Sequence, residues 1–326
     1  MNPAQNFQPK VVAPRDALGD AYIPLGEEFP NLFVITPDVP GSTRAVRFQE
    51  AFPDRFLNSG VSEQNTIGMA SGLSKEGWIP LVVGFAMFVG CKPWEQIRNS
   101  VAYPHLNVKI VATHGGINVG PDGVTAQAIE DIALMRAIPG MTVLAPTDGN
   151  QVLPVLRVAL AMQGPVYVRL ERAPIPLITD PGAPFTIGES LTLREGDDAT
   201  VVAIGGRVAA SLDAAEQLAR EGVQVRVISM VSIKPLDREA VLRAARETGA
   251  LVVVEDHNRY GGVGSAVAEL LAEHRLGPLE QVAINDTFAE SGETDELYAK
   301  YHLTSADIAA AVRRAIARRD QLEARQ

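Results

Sequence analysis

A chain of 326 residues with 46% hydrophobic content has the length and the apolar mass for two domains. Its net charge of −10 sets nucleic acid and anionic membranes aside as default partners, yet leaves room for an anionic substrate held by a local cluster of arginines. A single cysteine, Cys91, excludes an internal disulfide and fits a reducing cytoplasm, and five scattered histidines (His105, His114, His257, His274 and His302) form no metal-ligand spacing. The opening stretch MNPAQNFQPKVVAPRDA contains no apolar segment of signal-peptide kind. No apolar run approaches the roughly 20 residues of a membrane span, so a cytoplasmic protein is expected.

In chain order, the residues before Arg15 read as a polar arm, and 15–28 as a helix interrupted by Pro24. The run NLFVIT at 31–36 is a strand, followed by the turn-forming segment Asp38-Val-Pro-Gly-Ser42. In open α/β sheets ligands sit beyond the carboxyl ends of strands, which places Asp38 and Ser42 where function gathers; an ordinary polar turn has the same composition. A packed helix follows Glu63, and 79–84 is a buried strand. Residues 92–103 form a helix with Pro93 in its first turn and Trp94, Ile97 and Val101 on one face. A strand at 108–113 leads into the glycine-rich segment 114–126, too long for a mere connector. A helix at 127–138, a strand at 141–145, a helix at 150–162 and a strand at 165–170 lead to Glu171-Arg172. The proline-rich, aperiodic stretch 173–189 is the candidate linker. Beyond it, strands at 199–204, 223–229, 250–255 and 281–285 alternate with helices at 208–221, 237–248, 264–274 and 305–318. The alternation predicts an α/β protein of two doubly wound domains with mainly parallel sheets, 1–180 and 190–326.

The stretch 56–91 carries the chemistry. Glu63 stands at a strand-to-helix junction, and the strand at 79–84 delivers Phe85 and Phe88, three residues apart. A carboxyl to meet an aminopyrimidine nitrogen, with an aromatic wall beside it, is what a thiamine diphosphate site needs. The same residues also suit a plain fold: an acidic residue in a first turn complements the helix dipole, and phenylalanines at i and i+3 fill cores.

From Arg15 almost to its end the chain resembles the C-terminal half of transketolase, and more closely the separate C-terminal, pyrimidine-binding subunit of split two-chain transketolases. The resemblance rests on an ordered set of segments: GVSEQN at 60–65, GFAMF at 84–88, VATHGGINVGPDG at 111–123, AIEDIALMRAIPGMTVLAPTDGNQ at 128–151 and EDHNRYGGVGSAVAELLAE at 255–273. The same layout occurs in deoxyxylulose phosphate synthases and in the β subunits of 2-oxoacid dehydrogenases, which remain alternative activities; Arg15, Arg172 and His114 favour a sugar phosphate. The resemblance implies a transketolase, transferring a two-carbon ketol unit (glycolaldehyde) between sugar phosphates. It makes Glu63 the catalytic glutamate, which hydrogen-bonds N1′ and so favours the imino form that takes the C2 proton. A glutamate among apolar groups is biased toward its neutral, donating form. It makes Phe85 and Phe88 the wall against the pyrimidine, puts Cys91 where a third aromatic, commonly tyrosine, stands, and makes Asp38 the acidic residue at the cofactor. Arg15, Ser42 and Arg172 become sugar-phosphate contacts, with Arg169 as the fallback for Arg172. His114 and Asp122 hydrogen-bond the sugar's hydroxyls and the reacting carbonyl.

Two departures shape the expectation. Where the family reads Asp-Gly-Pro-Thr-His-Gln or similar, this chain reads Asp-Gly-Val-Thr-Ala-Gln, so Ala126 replaces a second sugar-binding histidine. The family's Gly-Asp-Gly motif for the diphosphate and its metal is absent; Gly196-Asp197-Asp198 does not match it. This chain then supplies no metal ligand. Mg²⁺ (or Ca²⁺) is expected on an N-terminal transketolase subunit, in an α2β2 heterotetramer active only when both chains are present.

Overall fold

The computed structural model describes residues 10–325, so the start of the expected polar arm lies outside the described residues. The strand–helix alternation builds an α/β protein on two mainly parallel sheets. The first sheet has seven strands in the order Ser232–Lys234, Thr142–Leu144, Val166–Arg169, Lys109–Thr113, Ile79–Phe85, Leu32–Thr36 and Phe56–Asn58. All neighbours are parallel except the Ser232–Lys234 edge. The second has five, in the order Leu279–Ile284, Leu251–Asn258, Ala199–Ala203, Val225–Ser229 and the antiparallel edge Leu191–Arg194. Helices cover both faces of a parallel sheet, so its inner strands are apolar throughout rather than alternating. Leu81, Val82 and Val83, and Ile110, Val111 and Ala112, are all fully buried. One apolar cluster runs without a break from Ile35, Val82 and Ile110 of the first sheet to Val202, Ile228 and Val253 of the second.

Local sequence sets the helix ends. Pro14 opens the helix Pro14–Glu28 at a position where its missing N–H costs nothing, and Pro24 rides inside without breaking it. Asp237 caps Arg238–Thr248 by accepting the Ala240 N–H, and Gly249 closes it in the left-handed conformation. Thr304 and Asp307 form a reciprocal capping box on Ser305–Glu323.

Several elements differ from the sequence reading. Helical structure starts at Ala86 rather than at residue 92. It runs through Ala86–Cys91, Trp94–Gln96 and Ile97–Ala102, with Lys92 N–H bonded to Met87 O and Tyr103 N–H to Arg98 O, five residues back. Such π-type turns widen a helix and recur at functional sites. The helix expected at 127–138 begins only at Asp131, because Gly116 N–H bonds Ala128 O and the Gln127 amide reaches Glu290 O. The expected linker is pinned over its first residues. Ile175–Pro176 pairs with Val11–Val12, and Asp148 accepts the Ile178 and Thr179 N–H groups. Ser232–Lys234, from beyond residue 190, covers the first sheet's edge, and Lys234 Nζ donates to Arg136 O and Ile138 O at a helix C-terminus. That strand, the edge Leu191–Arg194 and the helix Thr294–Lys300 are too short for periodicity to reveal.

The mouth of the first sheet rests on a buried ion pair. Arg169 Nε donates to Asp131 Oδ2 at 3.0 Å with both side chains shut away from solvent, and Tyr167 donates to the same carboxylate at 2.7 Å. Removing one member of such a pair strands a charge, which costs about 3–5 kcal/mol. Asp131→Ala is therefore expected to lower the denaturant midpoint strongly. An unchanged midpoint would show that the pair is not a support.

Candidate active site

The carboxyl ends of Leu32–Thr36, Ile79–Phe85, Lys109–Thr113 and Val166–Arg169 open on one side of the first sheet, and the loops that follow carry the residues singled out from the sequence. Glu63 is the first residue of the helix Glu63–Lys75, where the helix dipole favours a carboxylate, and is only 6% exposed. The sequence reading surrounded it with apolar groups. Instead Lys92 Nζ lies 2.6 Å from its Oε2. Lys92 closes the π-type turn Ala86–Cys91, so the widened helix that presents Phe88 also delivers this ammonium. Its side chain is half exposed and free to leave toward solvent.

Phe85 and Phe88 stack with centroids 5.8 Å apart, and Phe85 also stacks on His114 at 3.7 Å. Cys91 is half-buried against the apolar core. Burial, then Asp131 and Glu130, push its thiol far up, so it serves as a small apolar group and not as a thiolate.

The protonation state of His114 follows from its neighbours. Burial, with Arg15 and Arg172 nearby, lowers its pKa to about 3, so the ring is neutral. Thr113 Oγ1 donates its one proton to Gly84 O and lies 2.8 Å from His114 Nδ1. The hydroxyl can then only accept from Nδ1–H, which leaves Nε2 as the ring's acceptor. His114 is thus built to take a hydrogen bond from a hydroxyl.

Three arginines gather at this edge. Burial, then Arg44 and Arg172, lower the pKa of Arg15, and its Nε, like that of Arg172, is buried without a partner among the described residues. Arg172 Nη2 stands 3.7 Å from Asp122 Oδ1, and its Nη1 donates to Val119 O at 2.9 Å. Arg44 is steered by Asp16 at 2.6 Å and by Gly41 O. Ser42 is half-buried in the same loop as Arg44. Asp38, exposed and with φ of 62°, exchanges hydrogen bonds with Asn58, joining its loop to the one before Glu63. Arg169, the fallback for Arg172, is buried and tied into the fold, with Nε donating to Asp131 and Nη2 to Ala128 O and Asp256 O. Ala126 is buried and its side chain offers no polar atom.

Sequence reasoning missed Lys92, Arg44 and Thr113. Lys92 looked like the start of a helix, Arg44 lay past the turn that drew attention, and Thr113 was one more apolar-strand residue. Among the described residues, no three His, Cys, Asp or Glu side chains gather as a metal site, and no helix is long and apolar enough to cross a membrane. The donor set fits the pyrimidine end of thiamine diphosphate: a flat aromatic wall, a nearly buried carboxyl, and a neutral imidazole acceptor. Lys92 takes one of the two carboxylate oxygens of Glu63.

Comparison with known proteins gives the family. Residues 10–176 match the transketolase pyrimidine binding domain, and 188–308 match the transketolase C-terminal domain. The chain is 45% identical over 298 residues to a putative transketolase C-terminal section of Methanocaldococcus jannaschii, covering 90% of this chain and 93% of that one. It is 40% identical over 294 residues to a 6-deoxy-6-sulfo-D-fructose transketolase subunit of Clostridium sp., covering 90% and 91%. Among solved structures, a split gene transketolase described as an inactive β4 tetramer superposes with a TM-score of 0.87 at 44% identity, covering 94% of this chain and 99% of that one. A flat aromatic wall and a carboxyl on the elements that follow the first sheet's strands, and family matches that together run from residue 10 to 308, lead to one conclusion: the chain belongs to the transketolase family, as the pyrimidine-binding and C-terminal part that split transketolases carry on a chain of its own.

Proposed function

We propose that this chain is the pyrimidine-side subunit of a two-chain transketolase. A partner chain supplies the diphosphate-binding domain and its Mg²⁺ (or Ca²⁺), in a cytoplasmic assembly of two copies of each chain. Together they move a two-carbon ketol unit from an anionic ketose to an aldose phosphate. The division into 1–180 and 190–326 belongs to the same reading. The observation that carries it is the placement of His114: its ring stacks on Phe85 of the aromatic wall, while Arg15 and Arg172 are its charged neighbours. One imidazole thus joins the place for a pyrimidine to the place for a sugar's terminal anion. Val61, two residues before Glu63, is 75% exposed, which supports a partner's covering this side.

Thiamine diphosphate, when bound, supplies a nucleophilic carbon that no side chain offers. This chain holds and orients around it. Glu63 would hold N1′ by a shared proton, Phe85 and Phe88 would cover the ring with Cys91 packed beside them, and Asp38 would stand near the cofactor. His114 Nε2 and Asp122 accept from sugar hydroxyls, while Arg15 and Arg172, with Ser42, bind the terminal anion through planar guanidinium forks.

The substrate is a modified or branched ketose with a terminal anion. Ala126 removes one polar contact and leaves room, and the similar Clostridium chain is named for a sulfonated ketose. A lost hydrogen bond of about 0.5–1.5 kcal/mol shifts donor preference by roughly 2- to 12-fold.

Two experiments on the reconstituted two-chain enzyme test this reading. Glu63→Gln should slow exchange of the thiamine C2 proton, followed by NMR, by at least about 100-fold; unchanged exchange would make Glu63 a structural residue. A donor panel should rank a modified ketose above xylulose 5-phosphate, and Ala126→His should move that ranking toward the latter. A wild type that prefers xylulose 5-phosphate throughout, with the ranking untouched by histidine, contradicts the altered specificity.

A further inference from the structure

The loop that carries His114 and Asp122 is poorly suited to hold itself. It contains three glycines at positive φ, Gly116, Gly120 and Gly123, and follows His114, itself at φ of 61°. Its anchor comes from the other sheet. Asp256, at the end of Leu251–Asn258, is 1% exposed and accepts the Ile117 N–H at 2.9 Å on one carboxylate oxygen and the Asn118 N–H at 3.1 Å on the other. Two successive N–H groups closing on a carboxylate form a compact anion nest. Gly116 lets them close: a Cβ there would lie 2.3 Å from Asp256 Oδ2. Tyr298, on the helix Thr294–Lys300, donates to the same oxygen at 3.2 Å.

The anchored residues in turn hold the sugar side. Asn118 Oδ1 accepts the N–H groups of Arg172 at 2.9 Å and Ala173 at 2.6 Å. Arg172 then donates to Val119 O and stands beside Asp122. We infer that Asp256, from the C-terminal part of the chain, is a positioning residue for substrate: through the Ile117 and Asn118 amides it fixes the loop on which Asp122 and Arg172 meet the sugar. This rests on the transketolase reading of the site, and it gives the C-terminal sheet a part in specificity.

The test uses the reconstituted two-chain enzyme with Asp256→Asn, which keeps one acceptor and the shape but loses the second N–H contact. A displacement of about 1 Å costs on the order of 100-fold, so kcat/KM for the donor should fall by up to about 100-fold, chiefly through KM. Thiamine diphosphate affinity should stay at the wild-type value, since Glu63, Phe85 and Phe88 lie on other segments and His114 is held by Thr113 and Phe85 rather than by Asp256. Tyr298→Phe should cause a smaller rise in KM in the same direction. A merely structural Asp256 would lower the amount of assembled enzyme but leave wild-type KM and kcat per bound cofactor, and that result overturns the inference. Amide exchange on the wild-type chain gives a readout that needs no turnover: Ile117 and Asn118 should be as protected as the strand Leu251–Asn258, and rapid exchange at both also overturns it. If the wild-type complex turns over no ketose at all, the functional reading fails, and amide exchange still decides whether the anchor exists.

Discussion

The guanidinium of Arg169 ties the molecule together at the point where its two sheets meet. It sits at the end of a central strand of the first sheet, takes Asp131 at the head of a helix, and donates to Ala128 O and Asp256 O. A charge this deep is tolerated when it is paired and hydrogen-bonded. Burial alone would loosen its proton, but Asp131, Asp256 and Glu171 outweigh it and push its pKa upward. Gly115 has to be glycine for this, since a Cβ there would lie 2.6 Å from Arg169 Nε. The glycine-rich loop is thus shaped from below by an arginine of the first sheet and from the side by Asp256 of the second.

Around that support lie the residues of the proposed site. His114 links the aromatic pair to the arginines, stacking on Phe85 with Arg15 and Arg172 as its charged neighbours. Glu63 accepts from Lys92 on Oε2, a contact that the proposed function has to share or rearrange. A half-exposed lysine gives up such a contact at low cost, because water replaces the carboxylate around its ammonium.

Much of this was legible in the sequence because the signals are local or repeat over a known period. The buried strands Ile79–Phe85 and Lys109–Thr113 announce themselves as apolar runs, and the length and glycine content of 114–126 mark more than a connector. The family resemblance then singled out Glu63, Phe85, Phe88 and His114. What stayed hidden depends on long-range contacts. Nothing in the run Glu-Asp-His-Asn at 255–258 says that Asp256 reaches back to residue 117, and nothing near Lys92 says that it reaches Glu63. The π-type turns that aim Lys92 come from a choice of i→i−5 bonding that propensity does not encode. The short strand Ser232–Lys234 is set by an edge that needs covering, which is a property of the sheet and not of three residues.

The central claim is that this chain holds one side of a thiamine diphosphate site and needs a partner chain for the other. The most direct measurement is a thiamine diphosphate titration, with Mg²⁺ present, of this chain alone, of a partner chain bearing Gly-Asp-Gly, and of the two mixed, with ketol transfer followed in parallel. Saturable binding with turnover only in the mixture is the predicted result. Robust transfer by the purified single chain would contradict the account.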